Sequence, residues 1–301
     1  MSDNIISGEI HYDVGNISKI YELYHSNVNY LHPESENYIC RYCGVQGKNK
    51  FKSKAHLIPE FTGAKELFSF NECKECNNKF GIYYENSLKN FGVKNVFVPI
   101  KGKGGYKKHK DYTNDTVTQY RDEKTLVTTL GKKDYICEIF DGKIKLNAVS
   151  YPFIPLYVYK SLLKLALSLL KTEDVKYFAD SFMWINDVEK QIVSKFPLTL
   201  IVNDEAKLPL LKPIALLLRK KSDYNSPEFT FLFSWGFYNF QIFLPLNSND
   251  SNLDFSSLHL PIQEDFIGIS KEGKIKFQHF DMNSKLSSKI ENNFLVPFQI
   301  D

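Results

Sequence analysis

Three stretches decide how this chain is read: Cys40-Arg41-Tyr42-Cys43, Lys52-Ser53-Lys54-Ala55-His56-Leu57-Ile58-Pro59-Glu60, and Cys73-Lys74-Glu75-Cys76-Asn77-Asn78-Lys79-Phe80-Gly81. A Cys-x-x-Cys turn presents two thiolates to one tetrahedral ion, and two such turns, here 29 residues apart, close the site. A closed four-sulfur site leaves no position for water. The zinc ion expected on Cys40, Cys43, Cys73 and Cys76 is therefore structural. A redox Cys-x-x-Cys needs one pair between a strand and a helix, whereas this chain has two pairs. Gly44 lets the chain turn away after the first knuckle. The fifth cysteine, Cys137, stands alone in an apolar run. An odd count with two tight pairs fits a metal site in a reducing compartment better than a disulfide framework.

The order of these pieces, Cys-x-x-Cys, then Ala-His-Leu-Ile-Pro-Glu, then Cys-Lys-Glu-Cys-Asn-Asn-Lys-Phe-Gly, resembles the HNH endonucleases, the ββα-metal nuclease family, from Tyr38 to about Asn86. The resemblance implies a β-hairpin and a helix around one divalent catalytic ion, Mg²⁺ or Mn²⁺, and DNA as the partner. It makes His56, at the end of the first strand, the general base that deprotonates the attacking water. It makes Asn77, at the start of the helix, a ligand of the catalytic ion; the alternative for Asn77 is a helix N-cap. A helix opened near Asn77 puts Asn77, Gly81 and Glu85 on one face at i, i+4 and i+8, which brings Glu85 towards the metal. Lys52, Lys54 and Lys79 flank this site and are candidates for DNA-backbone contacts.

The residue types suit the chemistry. Phosphodiester hydrolysis needs a base that titrates near neutrality, as imidazole does, and a cation to stabilise charge on phosphorus and the leaving oxygen. Hard divalent ions take oxygen ligands from Asn, Glu and water. Two positions depart from the family pattern. Many members carry Asp or Glu just before the base, where this chain has Ala55, and the middle asparagine of the family falls at Phe68. Glu85 or Glu60 then makes up the lost ligand. The rival reading is a zinc-containing DNA-binding or scaffold protein whose nuclease centre has decayed.

Charge points the same way. The whole chain carries +3, yet residues 41–111 hold fifteen Lys and Arg against six Asp and Glu. That is a net of +9, leaving −6 for the rest, and such asymmetry is the electrostatic footprint of a polyphosphate partner. Lys101–Lys110 has five lysines and three glycines without the order of a phosphate-binding P-loop, so a phosphate contact and a solvated loop are equal readings.

The expected fold is α+β: an N-terminal extension (1–37), a zinc-stapled ββα-metal module (38–91), a Gly- and Lys-rich linker (92–115) and an α+β accessory domain (116–301). A short helix is expected over Ile17–Tyr30, and short strands over 116–120, 125–130, 135–140 and 143–149, the last two joined by Asp141-Gly142. Helices follow near 154–171 and 172–185. Strands return at 198–202, 214–219, 229–235 and 237–244, with a last hairpin pairing 266–270 and 274–280. Lys160 and Lys164 lie one turn apart on an otherwise apolar helix and are expected to snorkel. The accessory domain is assigned substrate recognition, sensing of a small-molecule or protein activator, or assembly of a homo-oligomer. By analogy with HNH proteins that carry accessory domains, the resemblance implies a role in bacterial defence, restriction or anti-phage. No run reaches the ~18 apolar residues of a membrane span, and Met1–Ile10 is acidic, which gives a cytoplasmic expectation.

Overall fold

The computed structural model describes residues 11–14, 17–28, 38–111, 115–129, 131, 138–140, 143–192, 198–203, 209–221, 224–254, 257–263 and 278–297. Helices and mainly antiparallel sheets combine, in the α+β class the sequence predicts. The largest sheet has six strands in the order Gln278–Asp281, Thr199–Asn203, Tyr238–Phe243, Phe229–Gly236, Leu210–Lys220 and Tyr21–Ser26, every pair antiparallel.

The two central strands, FTFLFSWG and YNFQIF, are buried at every residue. Their mainly apolar composition, with Thr230, Ser234, Asn239 and Gln241 buried among it, follows from a sheet covered on both faces. Alternate side chains divide between two clusters. Phe231, Phe233, Trp235, Phe240 and Ile242 face the main core, while Leu232, Phe243, Ile201 and Leu218 face a smaller cluster with Ile17, Ile20, Leu260 and Ile262. Helix Pro155–Ser168 is the centre of the main core. Proline at its first turn suits the missing N–H there, and all its residues are buried, which explains why it is apolar all round.

That core does not stop at the cysteine segment. Cys40, Tyr42, Phe80, Tyr84, Leu88 and Phe91 belong to the same cluster as Leu156, Tyr159, Trp235 and Phe240. Asn95 adds a polar clasp. Its amide donates to the Trp235 carbonyl at 3.0 Å and its Oδ1 accepts from the Phe237 N–H at 2.9 Å. Gly236 turns there at φ +59°, and a Cβ on it would stand 2.0 Å from Asn95 Oδ1.

Several expectations change. Only Ile17–Ile20 is helical, and Tyr21–Ser26 pairs with Leu210–Lys220 as an edge strand, so this part of the expected N-terminal extension belongs to the sheet. Pairing with an available strand overrides weak local helix preference. The expected linker is folded: Lys101–Gly102 pairs with Gly105–Tyr106, and Lys108–Asp111 with Thr116–Tyr120. The second helix begins as a tighter 3₁₀ turn, Thr172–Phe178, and becomes α-helical only over Ala179–Asn186. Lys160 and Lys164 do not snorkel. Both are buried, and the Lys160 ammonium donates to the Trp184, Asp187 and Lys190 carbonyls. Cys137, the Asp141-Gly142 turn and residues 266–270 lie outside the described residues. The flanking strands Glu138–Phe140 and Lys143–Val149 pair as expected.

Candidate active site and its cysteine cluster

The sulfurs of Cys40, Cys43, Cys73 and Cys76 all lie within 4.8 Å of one another. Zn–S bonds of about 2.3 Å place tetrahedral sulfurs about 3.8 Å apart, and Cys43 and Cys73 stand at 3.7 Å. The donor set therefore fits one zinc ion. Backbone amides point at the sulfurs, with Cys73 N–H 3.4 Å from Cys40 Sγ and Cys76 N–H 3.5 Å from Cys73 Sγ. Gly44 takes φ +71° after the first knuckle, where its amide donates to the Cys40 carbonyl at 2.8 Å. Distant residues grip both knuckles. Arg41 donates to the Leu167, Ser168 and Leu170 carbonyls at the end of the central helix, a favourable place for a cation. Asn186 donates to the Tyr42 carbonyl and accepts from Lys79.

His56 ends a two-residue strand, Ala55–His56, paired with Phe68–Ser69. Phe68 lies directly opposite His56, their ring centroids 4.9 Å apart, and the Lys54 ammonium sits 5.3 Å from the centroid of the Phe68 ring. Ala55 is fully buried. The helix begins at Lys74, one turn earlier than expected, with Cys73 as N-cap, so Asn77 is not a cap. It runs through a widened i→i+5 turn at Gly81–Glu85 and ends at Phe91. Residues four apart drift by ~40° on an α-helix, and the widened turn undoes that drift. Cys76, Phe80, Tyr84 and Leu88 thus keep one buried stripe, while Asn77, Gly81 and Glu85 keep another that faces a cavity.

That open cavity, about 430 Å³, is lined by His56, Glu60, Phe61, Asn77, Asn78, Gly81, Ile82 and Glu85. The structure thus brings together His56, Asn77, Glu85 and Glu60. His56 Nε2 stands 3.5 Å from Glu60 Oε2, and Nδ1 is buried without a well-aligned partner, so Nε2 is the nitrogen available to the cavity. The imidazole pKa is lowered, chiefly by burial, with Lys164 and Lys103 adding to the effect and Glu60 and the Ala64 backbone opposing it. The His56–Glu60 contact is therefore a neutral imidazole beside a carboxylate at neutral pH, and becomes an ion pair once the ring takes a proton. Burial raises the Glu85 carboxyl, and Lys164, at 4.0 Å, partly counters that. Among the described residues, only the four cysteines converge tightly as His, Cys, Asp or Glu ligands.

Lys52 and Lys54 are exposed beside the hairpin. Lys79 is not free for a phosphate, because its ammonium donates to the Asn186 carbonyl at 2.8 Å. The folded basic hairpin packs behind Phe61, a residue of the cavity wall. A Cβ on Gly102 would stand 3.1 Å from the Phe61 Cα, and Lys107 anchors the segment on the Lys89 and Gly92 carbonyls. Sequence reasoning missed Lys164 and Asn186, which reach this segment from outside it. The one signal was two lysines inside an otherwise apolar helix.

A larger open cavity, about 520 Å³, lies by Arg219, Lys220 and Lys221, but its cations are engaged. Arg219 binds Glu228 at 2.8 Å, Lys220 the Tyr224 and Ser226 carbonyls, and Lys221 the Ser18 carbonyl. The smaller cavity holds the uncommitted chemistry.

No helix among the described residues is long and apolar enough to cross a membrane. No curated protein and no solved structure matches the chain. A family model described as HNH endonuclease matches residues 40–90, the segment that contains both knuckles, His56 and the helix. With its four-sulfur cluster and its histidine-lined cavity, that segment is an HNH endonuclease domain.

Proposed function

We propose that this protein is a metal-dependent endonuclease that hydrolyses DNA phosphodiester bonds, with zinc on the four cysteines in a purely structural role. The observation that carries the reading is the single cavity shared by His56, Glu60, Asn77 and Glu85 inside the matched segment. His56 Nε2 takes the proton of the attacking water, and the Glu60 carboxylate beside it stabilises the imidazolium that forms. The oxygens of Asn77 and Glu85, with Glu60 in place of the acid that Ala55 lacks, suit Mg²⁺ or Mn²⁺. When bound, that ion supplies positive charge where negative charge develops on the phosphate. Gly81, with open space at its Cβ position, leaves room for the substrate. Lys52, Lys54 and Lys103, all exposed, hold the backbone of the DNA.

Incubating supercoiled plasmid with Mg²⁺ or Mn²⁺ tests this. Cleavage by the wild type and a loss of ~10²–10⁴-fold in His56→Ala are expected. The scaffold reading draws on buried Ala55 and on Phe68 packed against His56, since neither offers a ligand. Salt-sensitive DNA binding with no cutting by either protein, with either metal, supports it. We extend the proposal to a defence role by family-level analogy. Equal phage plaquing on hosts carrying wild type and His56→Ala removes that extension.

A further inference from the structure

Helix Pro155–Ser168 lies outside the matched segment, yet it sends one side chain into the nuclease centre. Lys164 is 1% exposed. Its ammonium stands 3.1 Å from Glu72 Oε2, donates to the His56 carbonyl at 3.0 Å, and lies 4.0 Å from Glu85 Oε1. An ammonium has three protons to place and no acceptor of its own. Stripped of water, it persists only where fixed acceptors replace the hydration. These three oxygens, two within hydrogen-bonding distance and the Glu85 oxygen a charge neighbour, sit on three different pieces of the site: the strand carrying the base, the residue before the second knuckle, and the helix wall of the cavity. The same turn of the central helix is tied to the first knuckle, since Tyr42 Oη donates to the Lys164 carbonyl at 3.2 Å and bonds Ser168 Oγ at 2.6 Å. The base strand is only two residues long and has little ladder of its own.

We propose that Lys164 is a positioning residue for the nuclease site: it fixes the backbone of His56 and sets the Glu85 carboxylate relative to it, so the central helix completes the catalytic centre. This rests on the nuclease reading above, and the test separates the two. Lys164→Met alone leaves Glu72 buried and unpaired and risks misfolding, so the main variant is Lys164→Met with Glu72→Gln, which removes both charges.

In this double variant, bound zinc and thermal midpoint stay near wild type, and KM for plasmid is unchanged. The kcat falls on the order of 10²-fold, the scale of a misplaced catalytic group, and the His56 imidazole ¹H–¹⁵N resonances move. Glu72→Gln alone, which leaves the ammonium on the His56 carbonyl and near Glu85, keeps kcat within about threefold, well short of the tenfold that marks 1.4 kcal/mol of barrier. The proposal is overturned if the folded, zinc-loaded double variant cuts at the wild-type rate, if its His56 resonances do not move, or if Glu72→Gln alone reproduces the whole loss. If wild type and His56→Ala cut equally poorly, the nuclease reading fails. The resonances then still decide whether Lys164 positions His56.

Discussion

The hairpin that carries His56 has two strands of two residues each, whereas the sheet behind it has central strands of eight and six residues buried throughout. The sheet is held by area. Phe231 and Phe240 each stack with Phe233, and Trp235 shares their continuous core, each fully buried aromatic worth roughly 1.5–3 kcal/mol of apolar transfer. The helix of the site segment shares that core, but its hairpin and knuckles are held by points: four sulfurs, the Arg41 and Asn186 clasps, and one buried ammonium. A region with little regular structure can place polar groups at chosen spots, but it borrows its rigidity from its neighbours and, with zinc on the four sulfurs, from a metal.

Removing the metal ligands breaks this contrast hardest. Zinc binding contributes ~10–16 kcal/mol in small zinc modules. In Cys73→Ala, amide exchange protection is expected to collapse across 40–91 and to persist in 229–243; uniform loss across both regions refutes the two-principle account. Next is the chemistry alone. His56→Ala is expected to lose cleavage by ~10²–10⁴-fold while its melting midpoint moves little. A midpoint that falls with the rate would make His56 structural.

The seam between the regions comes third. Gly236→Ala places a methyl group against Asn95 at a left-handed backbone position and is expected to destabilise by ~2–4 kcal/mol; denaturant melts check it. An unchanged midpoint would show that the Asn95 clasp is slack.

The smallest effect is in pH. On the proposed mechanism His56 works as neutral imidazole, and burial lowers its pKa below the usual value, so the rate is expected to hold into mildly acid solution and to fall as pH drops through that lowered pKa. Glu60 opposes the shift, so Glu60→Gln is expected to move the acid limb of the pH–rate profile to still lower pH. A limb that moves up instead would show that Glu60 does not act on His56 by charge.

The α+β class and the sheet strands after residue 198 were legible because apolar runs of β-type composition bounded by turn residues carry their own signal. The N-terminal edge strand was not, since Tyr21–Ser26 takes its conformation from a partner nearly 200 residues away. The face shared by Asn77, Gly81 and Glu85 was legible, but the widened turn that keeps it aligned was not.

The sequence by itself determined the four thiolates and the base candidate, because a knuckle and the strand-end His-Leu-Ile-Pro are local patterns whose chemistry lies in neighbouring residues. Only the tertiary structure decided which partners Lys79 and Lys164 find. A lysine's role depends on which acceptor comes within hydrogen-bonding distance, and the Asn186 carbonyl for Lys79 and the His56 carbonyl for Lys164 are each more than a hundred residues away in the chain.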